Sequence, residues 1–341
     1  MEADIPVVVL CGSAYQRGTQ HGQRFAAAIE TGIRRPLDTL GSSDLRLIYE
    51  RAKDTADAIS AIAPDVHAEL RGIADGAGRP LLDIVIRSSF ELLAPNNDTG
   101  CSALAVQTSQ GVVVGQNWDA PVGSQAEQAL FIHIASDGFD FATVSAYGGL
   151  GWVGCNRAGL AMVNNDLVLR SRTDGIPSQI ARRILLATSG VDEALDAAKS
   201  LPHMAGRAYL IGDVTDAIAS IEVSARHGVH VSRVDDFLAH TNHALCEDIR
   251  RDEDAQELAK QYPSSQARLH TINARRDTCQ SIEDVFDILR NRDGTPDSVC
   301  KLTSTREPTQ TAFSIVMDCR SRTLYLARGM PSASKYERLC L

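Results

Sequence analysis

The chain has 341 residues, enough to bury a sizeable core. At ~150 residues per domain it has room for two domains or one large fold. With 44% apolar and 23% charged residues it reads as an ordinary soluble globular protein. A net charge of -9 without any long basic run disfavours a nucleic-acid surface.

The N-terminal "MEADIPVVVLCGS" lacks a positive region and predicts no signal peptide. No apolar run approaches the ~20 residues of a membrane span. The eight cysteines (Cys11, Cys101, Cys155, Cys246, Cys279, Cys300, Cys319, Cys340) are scattered without CxxC pairs. That argues against a zinc site and a disulfide framework, and for a reduced, cytoplasmic setting.

In chain order, "IPVVVLCGS" reads as a strand, followed by helices over "AYQRGTQHGQRFAAAIETGIRRPL" and "SSDLRLIYERAKDTADAISAIA". "PDVHAELRGIADGAG" and "LLDIVIRSSFELLA" continue the helical period, the last ending before Pro95. After Gly100 the texture changes. Six short β-rich runs follow: "CSALAVQTS", "GVVVGQNWD", "LFIHIASD", "FATVSAYGG", "GWVGCNRAG" and "LAMVNNDLV". The first two are joined by a Ser-Gln-Gly hairpin turn. Helices over "SQIARRILLATS" and "DEALDAAKSL" lead to strands "RAYLIGDV", "AIASIEVSAR", "GVHVSRVDD" and "FLAHTNH". A polar helical region spans 249–294, with "RRDEDAQE" as a solvated face. "TAFSIVMDC" and "RTLYLARG" close the chain as a hairpin. Helices come in blocks, not in strict alternation with strands. The expectation is therefore an α+β fold of mainly antiparallel sheets with packed helices. The break at residue 100 divides a helix-rich segment, 1–100, from a β-rich one, 101–341, within one structural domain.

That break falls in "NNDTGCSALAV", where turn residues end in Gly100 and Cys101 opens a strand. A cysteine there is most often buried filler. It can also be a nucleophile made by cutting the chain after Gly100, since a free α-amine titrates near ~8 and can serve as base. Gly100 suits such a step because no Cβ obstructs attack. Asp119 follows on the next strand, where it could face Cys101. Asn165 and Asn242 stand at strand ends, where carboxamides can donate to an oxyanion. His240 and His243 flank Asn242. Without a third ligand they read as hydrogen-bonded structural histidines, so no metal is expected. His21 reads as a core or capping residue, and Trp118 and Trp152 as packing anchors, with Trp118 also able to line a pocket.

The combination of "GSAYQRGTQHG", "LRGIADGAG", "TGCSALAV", "GQNWDA", "NRAGLAMVNND", "GIPSQIARRILL", "HTNHAL" and "TAFSIVMD" resembles the acyl-coenzyme A:6-aminopenicillanic acid acyltransferase family, within the N-terminal nucleophile hydrolases. The resemblance implies a four-layer αββα sandwich. It implies that Cys101 is the nucleophile, freed by autoproteolysis after Gly100, and that Asp119 holds the new α-amine. By the same resemblance Asn242 belongs to the oxyanion hole, with Asn165 a second polar residue near it. In "TSTREP" only Arg306 matches a substrate-side residue of the family, and "YPSSQARL" retains Ser265 and Arg268. The acyl and amine pockets therefore differ from the family pattern, and a penicillin substrate is not carried over.

The implied activity is an amide hydrolase or acyltransferase acting on a small-molecule N-acyl amine through a thioester on Cys101. It needs no cofactor, with acyl-coenzyme A as acyl donor if it is a transferase. The implied assembly is a heterodimer of the two self-cleaved chains, open to further homo-oligomerisation, with no nucleic-acid or membrane partner. Two other classes remain at this point: a self-cleaving protein without present catalysis, and an unprocessed globular binding protein.

Overall fold

The computed structural model describes residues 5–93 and 99–341. Strand β1 (Val7–Gly12) is followed by four helices, α1 (Ala14–Leu37), α2 (Ser42–Ile62), α3 (Pro64–Ala77) and α4 (Leu81–Arg87). A capping box between Ser13 and Gln16 starts α1. Pro64 opens α3, and Gly78 closes it at φ 63°, the left-handed conformation that glycine adopts without strain. Helix α4 is shorter than the period suggests, giving way to a 3-10 turn over Phe90–Leu92. Pro95, expected to end that helix, and Asn96 to Asp98 of the turn-rich run lie outside the described residues.

The β-rich part begins with β2 (Gly100–Thr108) and β3 (Gly111–Pro121), a hairpin turning at Ser109 and Gln110. Strands β4 (Gln128–Ala135), β5 (Phe141–Ala146), β6 (Val153–Asn156) and β7 (Ala161–Asp166) follow. Helices α5 (Ser178–Leu185) and α6 (Val191–Ser200) come next. After them stand β8 (Arg207–Gly212), β9 (Ile218–Ser224), β10 (Gly228–Val234) and β11 (Phe237–His240). The polar region breaks into α7 (Glu247–Arg250), α8 (Ala255–Gln261), α9 (Ser265–Asn273) and α10 (Ile282–Arg290). Local chemistry sets those breaks. Asp254 caps α8, Pro263 follows its end, and Ser281 and Asp284 form a capping box on α10. The chain ends in β12 (Thr309–Asp318), β13 (Thr323–Ala327) and β14 (Tyr336–Cys340). β14 escapes a sequence reading because it is a half-exposed edge strand with charged residues.

One sheet has eight strands in the order β1-β4-β5-β6-β7-β8-β9-β10, the other six in the order β11-β2-β3-β12-β13-β14. β1 pairs in parallel with β4, and every other strand pair is antiparallel. The segment before residue 100 thus supplies an edge strand to the larger sheet.

Strand alternation distributes the core into layers. Ala103, Ala105, Val112 and Val114 meet Leu130, Val144, Val163 and Leu210 between the sheets. On the far side of the larger sheet, Phe131 packs against Phe25 of α1, and Met162 and Ile211 against Leu185 and Leu195. On the far side of the smaller sheet, Leu104 and Val316 pack against Ile272, Val285 and Leu289. The architecture is a helix–sheet–sheet–helix sandwich of the α+β class. Each fully buried aliphatic side chain contributes roughly 1.5–3 kcal/mol.

Helices α1 and α3 touch backbone to backbone. A Cβ on Gly18 would lie 2.2 Å from the Glu69 carbonyl oxygen, and one on Gly72 2.2 Å from that of Tyr15. Gly22 and Gly76 meet Ile73 and Thr19 in the same way. No helix among the described residues is long and apolar enough to cross a membrane. In "RRDEDAQE" the solvated reading fails at Asp252, which is 3% exposed and accepts a hydrogen bond from Ser224 Oγ at 3.0 Å.

Candidate active site

The β2–β3 register sets the site. Cys101 lies opposite Trp118, and Gly100 opposite Asp119. Because side chains alternate, Cys101 and Trp118 share the face between the sheets, while Asp119 shares the opposite face with Gly100. Asp119 is therefore one residue out of step with a direct approach to the thiol. Its Oδ1 accepts from Thr311 Oγ1 at 2.7 Å, and its buried Oδ2 has no hydrogen-bond partner among the described residues. A Cβ placed on Gly100 would lie 3.4 Å from that free oxygen, so the carboxylate stands against the Gly100–Cys101 link. Burial raises the Asp119 carboxyl above its ordinary range, opposed by Lys301 and Arg268.

Both backbone groups of Cys101 are held by side chains. Its N–H donates to Asn242 Oδ1 at 3.0 Å. Its carbonyl accepts from Asn165 Nδ2 at 3.1 Å and from an Arg268 guanidinium nitrogen at 2.6 Å. Arg268 of α9, fully buried, also donates to Asn242 Oδ1 at 2.8 Å and to Ser102 Oγ at 2.8 Å. These donors orient the Asn242 carboxamide with its oxygen toward Cys101. Its Nδ2 makes a long 3.3 Å bond to the Asp166 carbonyl. The Cys101 thiol is pushed up to about 12, first by burial and then by the Asp119 charge, so it is a neutral thiol near pH 7.

Strand β11 brings Asn242 to this point. Ser265 Oγ accepts from the Asn242 N–H at 2.9 Å and bonds His243 Nδ1 at 2.8 Å. His240 bridges Glu222 Oε1 at 2.8 Å and the Thr241 carbonyl at 2.7 Å. Both histidines thus have hydrogen-bonding roles. Among the described residues no group of three or more His, Cys, Asp or Glu side chains is arranged to hold a metal. His21 is a core residue whose Nε2 accepts from the Gly148 N–H at 2.9 Å.

A cavity of about 80 Å³ opens at Cys101, walled by Phe90, Trp118, Trp152, Arg182 and Arg207. The two tryptophans stack at 4.6 Å. An adjoining cavity of about 230 Å³ shares Phe90, Asp166 and Arg207 and continues past Arg170 and Arg172. Of the residues expected on the substrate side, Trp118 lines the inner cavity. Ser265 and Arg268 lie behind Cys101 as supports, and Arg306 is half-exposed and paired with Asp297, lining neither cavity. Sequence reasoning missed Arg182, Arg207 and Asp166. Arg182 donates to Asn164 Oδ1 at 2.6 Å, and Arg207 pairs with Asp166 and reaches Glu91 at 3.5 Å. Their signal was an arginine inside the apolar "SQIARRILL" and another opening the apolar strand "RAYLIG".

The arrangement supplies a shielded thiol, a carboxylate oxygen beside the preceding residue that has no partner among the described residues, and a cavity at the thiol. The chain is similar to several known proteins. A curated relative, the 40 kDa form of acyl-coenzyme A:6-aminopenicillanic-acid-acyltransferase from Emericella nidulans, is 28% identical over 277 residues, covering 79% of this chain and 76% of the relative. Among solved structures, penicillin V acylase from Agrobacterium tumefaciens is similar at 15% identity and TM-score 0.48, over 71% of this chain and 86% of that one. A variant of conjugated bile acid hydrolase from Clostridium perfringens is similar at 14% identity and TM-score 0.46, over 71% and 92%. The family profile described as acyl-coenzyme A:6-aminopenicillanic acid acyl-transferase matches residues 106–333, a stretch that starts beyond Cys101 and includes Asp119, Asn165 and Asn242. With two thirds of its length matched, the chain belongs to the acyl-coenzyme A:6-aminopenicillanic acid acyl-transferase family.

Proposed function

We propose that the protein is an N-terminal cysteine amide hydrolase that activates itself by cutting between Gly100 and Cys101. One observation carries this reading. The buried, unpartnered Asp119 Oδ2 and the Asn242 Oδ1 that accepts from Cys101 N–H form a cradle for an α-amine that exists only after the cut. In the first step the Cys101 thiol loses its proton and its sulfur attacks the Gly100 carbonyl carbon. The C–N bond breaks, the nitrogen takes a proton and becomes the amine, and a thioester remains. Water cleaves that thioester, leaving Gly100 as a carboxylate and restoring the thiol.

In turnover the amine accepts the thiol proton, Cys101 takes the acyl group of an N-acyl amine, and the amine product leaves with a proton. Water then releases the acid. Asp119 holds the α-amine by a charge-assisted hydrogen bond. Asn242 Nδ2, only weakly engaged by the Asp166 carbonyl, is the oxyanion donor, with Asn165 fixing the Cys101 carbonyl. Trp118 and the inner cavity receive the acyl group, and the amine side extends into the outer cavity. Segments 1–100 and 101–341 stay together as a heterodimer, since β1 is built into the larger sheet.

A second reading, transfer of the acyl group to an amine, is favoured by the acyltransferase name of the Emericella nidulans relative, and acyl-coenzyme A would then be a donor.

The test blocks the amine. The fragment beginning at Cys101 is co-expressed with residues 1–100, with and without one extra residue before Cys101, and assayed on a panel of N-acyl amines. The unblocked form is expected to turn over and the blocked form to be inactive. Equal turnover would assign the base role elsewhere, to His240 or His243.

A further inference from the structure

Asp119 owes its orientation to one contact. Its carboxylate is fully buried, and among the described residues the only hydrogen bond to it comes from Thr311 Oγ1, at 2.7 Å to Oδ1. Thr311, itself fully buried, stands directly opposite Asp119 in the β3–β12 pairing. A bulge makes that possible. Trp118 and Asp119 point to opposite faces, whereas residues 311 and 313 of a regular strand would share one. The extra residue, Ala312, lets Thr311 meet Asp119 on one face while Phe313 stacks on Trp118 at 5.4 Å on the other.

The direction of the Thr311 hydroxyl is fixed as well. Its oxygen accepts from the Lys301 N–H at 2.9 Å, and its single proton goes to Asp119. The Thr311 N–H donates to the Lys301 carbonyl at 3.1 Å, so Lys301 clamps Thr311 from both sides. The Lys301 ammonium is itself engaged elsewhere, by Glu307 at 2.8 Å and Thr309 Oγ1 at 2.7 Å. A carboxylate pinned at Oδ1 has its Oδ2 fixed too, and that oxygen lies 3.4 Å from where a Gly100 Cβ would stand. A hydroxyl donated to a buried carboxylate also favours its ionised form.

We propose that Thr311 is a positioning residue: its hydroxyl pins Asp119 Oδ1 so that Oδ2 meets the Cys101 nitrogen as the link to Gly100 breaks. The same contact then keeps Asp119 on the α-amine through turnover. The proposal rests on the self-cleavage reading above. Thr311 lines neither cavity and acts only through Asp119. Serine keeps the hydroxyl and loses a methyl group, whereas valine keeps the shape and loses the hydroxyl. A packing role would favour valine, and a positioning role favours serine.

The experiment compares wild type, Thr311→Val and Thr311→Ser as full chains, at a temperature where all are folded. Denaturing mass spectrometry times the appearance of fragments 1–100 and 101–341. The kcat and KM of processed molecules are read on the N-acyl amine of the panel above that wild type turns over fastest. Thr311→Val loses a hydrogen bond to a charged group, so its processing rate and kcat are expected to fall roughly 10- to 100-fold. Its KM should stay within about twofold of wild type, since no substrate contact is lost. Thr311→Ser should stay within about threefold of wild type in both rates. Processing of Thr311→Val at the wild-type rate overturns the proposal. So does a Thr311→Ser as slow as Thr311→Val, which would make Thr311 a packing residue, and so does a loss of turnover carried by KM. A folded Thr311→Val that stays uncut while Thr311→Ser is cut supports it. Thr311→Ala, which also lacks the hydroxyl, replaces Thr311→Val if that variant does not fold, with the same expectations. A wild type that never cuts itself removes the self-cleavage reading, a result distinct from all of these. A wild type that is cut but hydrolyses no member of the panel removes only the hydrolase reading, and the processing rates then decide.

Discussion

Two buried polar clusters flank the larger sheet, and they differ in where their bonds point. Between the helices and that sheet, Glu69 pairs with Arg183 at 3.1 Å and Arg17 with Asp137 at 2.7 Å, while His133 stacks on Phe141 at 4.0 Å. Those pairs close on one another and tie α1, α3, α5 and β4 together. The cluster at the start of β2 instead converges on a single residue. Asn242, Asn165 and Arg268, from three different parts of the chain, all bind the Cys101 backbone. Buried charge is common to both clusters and so does not mark chemistry. Convergence on one residue beside a thiol and a cavity sets the second cluster apart.

The comparison breaks most completely at Cys101. Cys101→Ala keeps every hydrogen bond made by its backbone and removes only the sulfur, so denaturing mass spectrometry should find one uncut chain and assays no turnover. Asn242→Ala is next. Loss of an oxyanion donor typically costs about 100- to 1000-fold, and steady-state rates of the processed fraction should fall by that amount.

The acidity of the thiol gives a third measure. With Cys101 held near 12, the thiolate fraction rises about tenfold per pH unit across the neutral range. The rate of self-cleavage should rise with that slope between about pH 6 and 9. A flat profile would mean that proton loss from the thiol does not limit the step.

In the other cluster the expected effect is on stability alone. Glu69→Gln leaves Arg183 buried without its counter-charge, which costs on the order of 3–5 kcal/mol. Denaturant unfolding should show this loss, with turnover per folded molecule unchanged. The smallest effect is expected at Arg306, half-exposed and paired with Asp297, where Arg306→Ala should leave turnover within about twofold of wild type, as surface substitutions usually do.

Much of the fold was legible because long apolar periods and Gly, Asn and Asp breaks are local signals. The helices through α3, strands β2 to β13 and the two-residue turn at Ser109 all follow from them. For the candidate site, the residues were legible but their register was not. "GQNWD" places Asp119 next to the strand of Cys101, yet only the pairing of the hairpin decides that it faces Gly100 and that Trp118 faces Cys101. Arg306 was read into the pocket from its place in the chain, whereas the fold turns it outward. The partners of Arg207 were not legible, because Glu91 lies 116 residues before it and no local pattern joins the two.

The glycines where α1 and α3 meet bear on how members of such a family can be told apart. "GSAYQRGTQHG" and "LRGIADGAG" are two of the motifs that make this chain recognisable, and the structure explains them mechanically: two helices press so close that a methyl group would strike a carbonyl oxygen. None of those glycines approaches the thiol. A descendant that lost Cys101 and kept its glycines would assemble the same helix pair and be sorted with working enzymes by those motifs. On the reading proposed above, diagnosis of a live catalyst in this lineage belongs to the few residues around Gly100–Cys101, while the glycine motifs report only that the scaffold is intact.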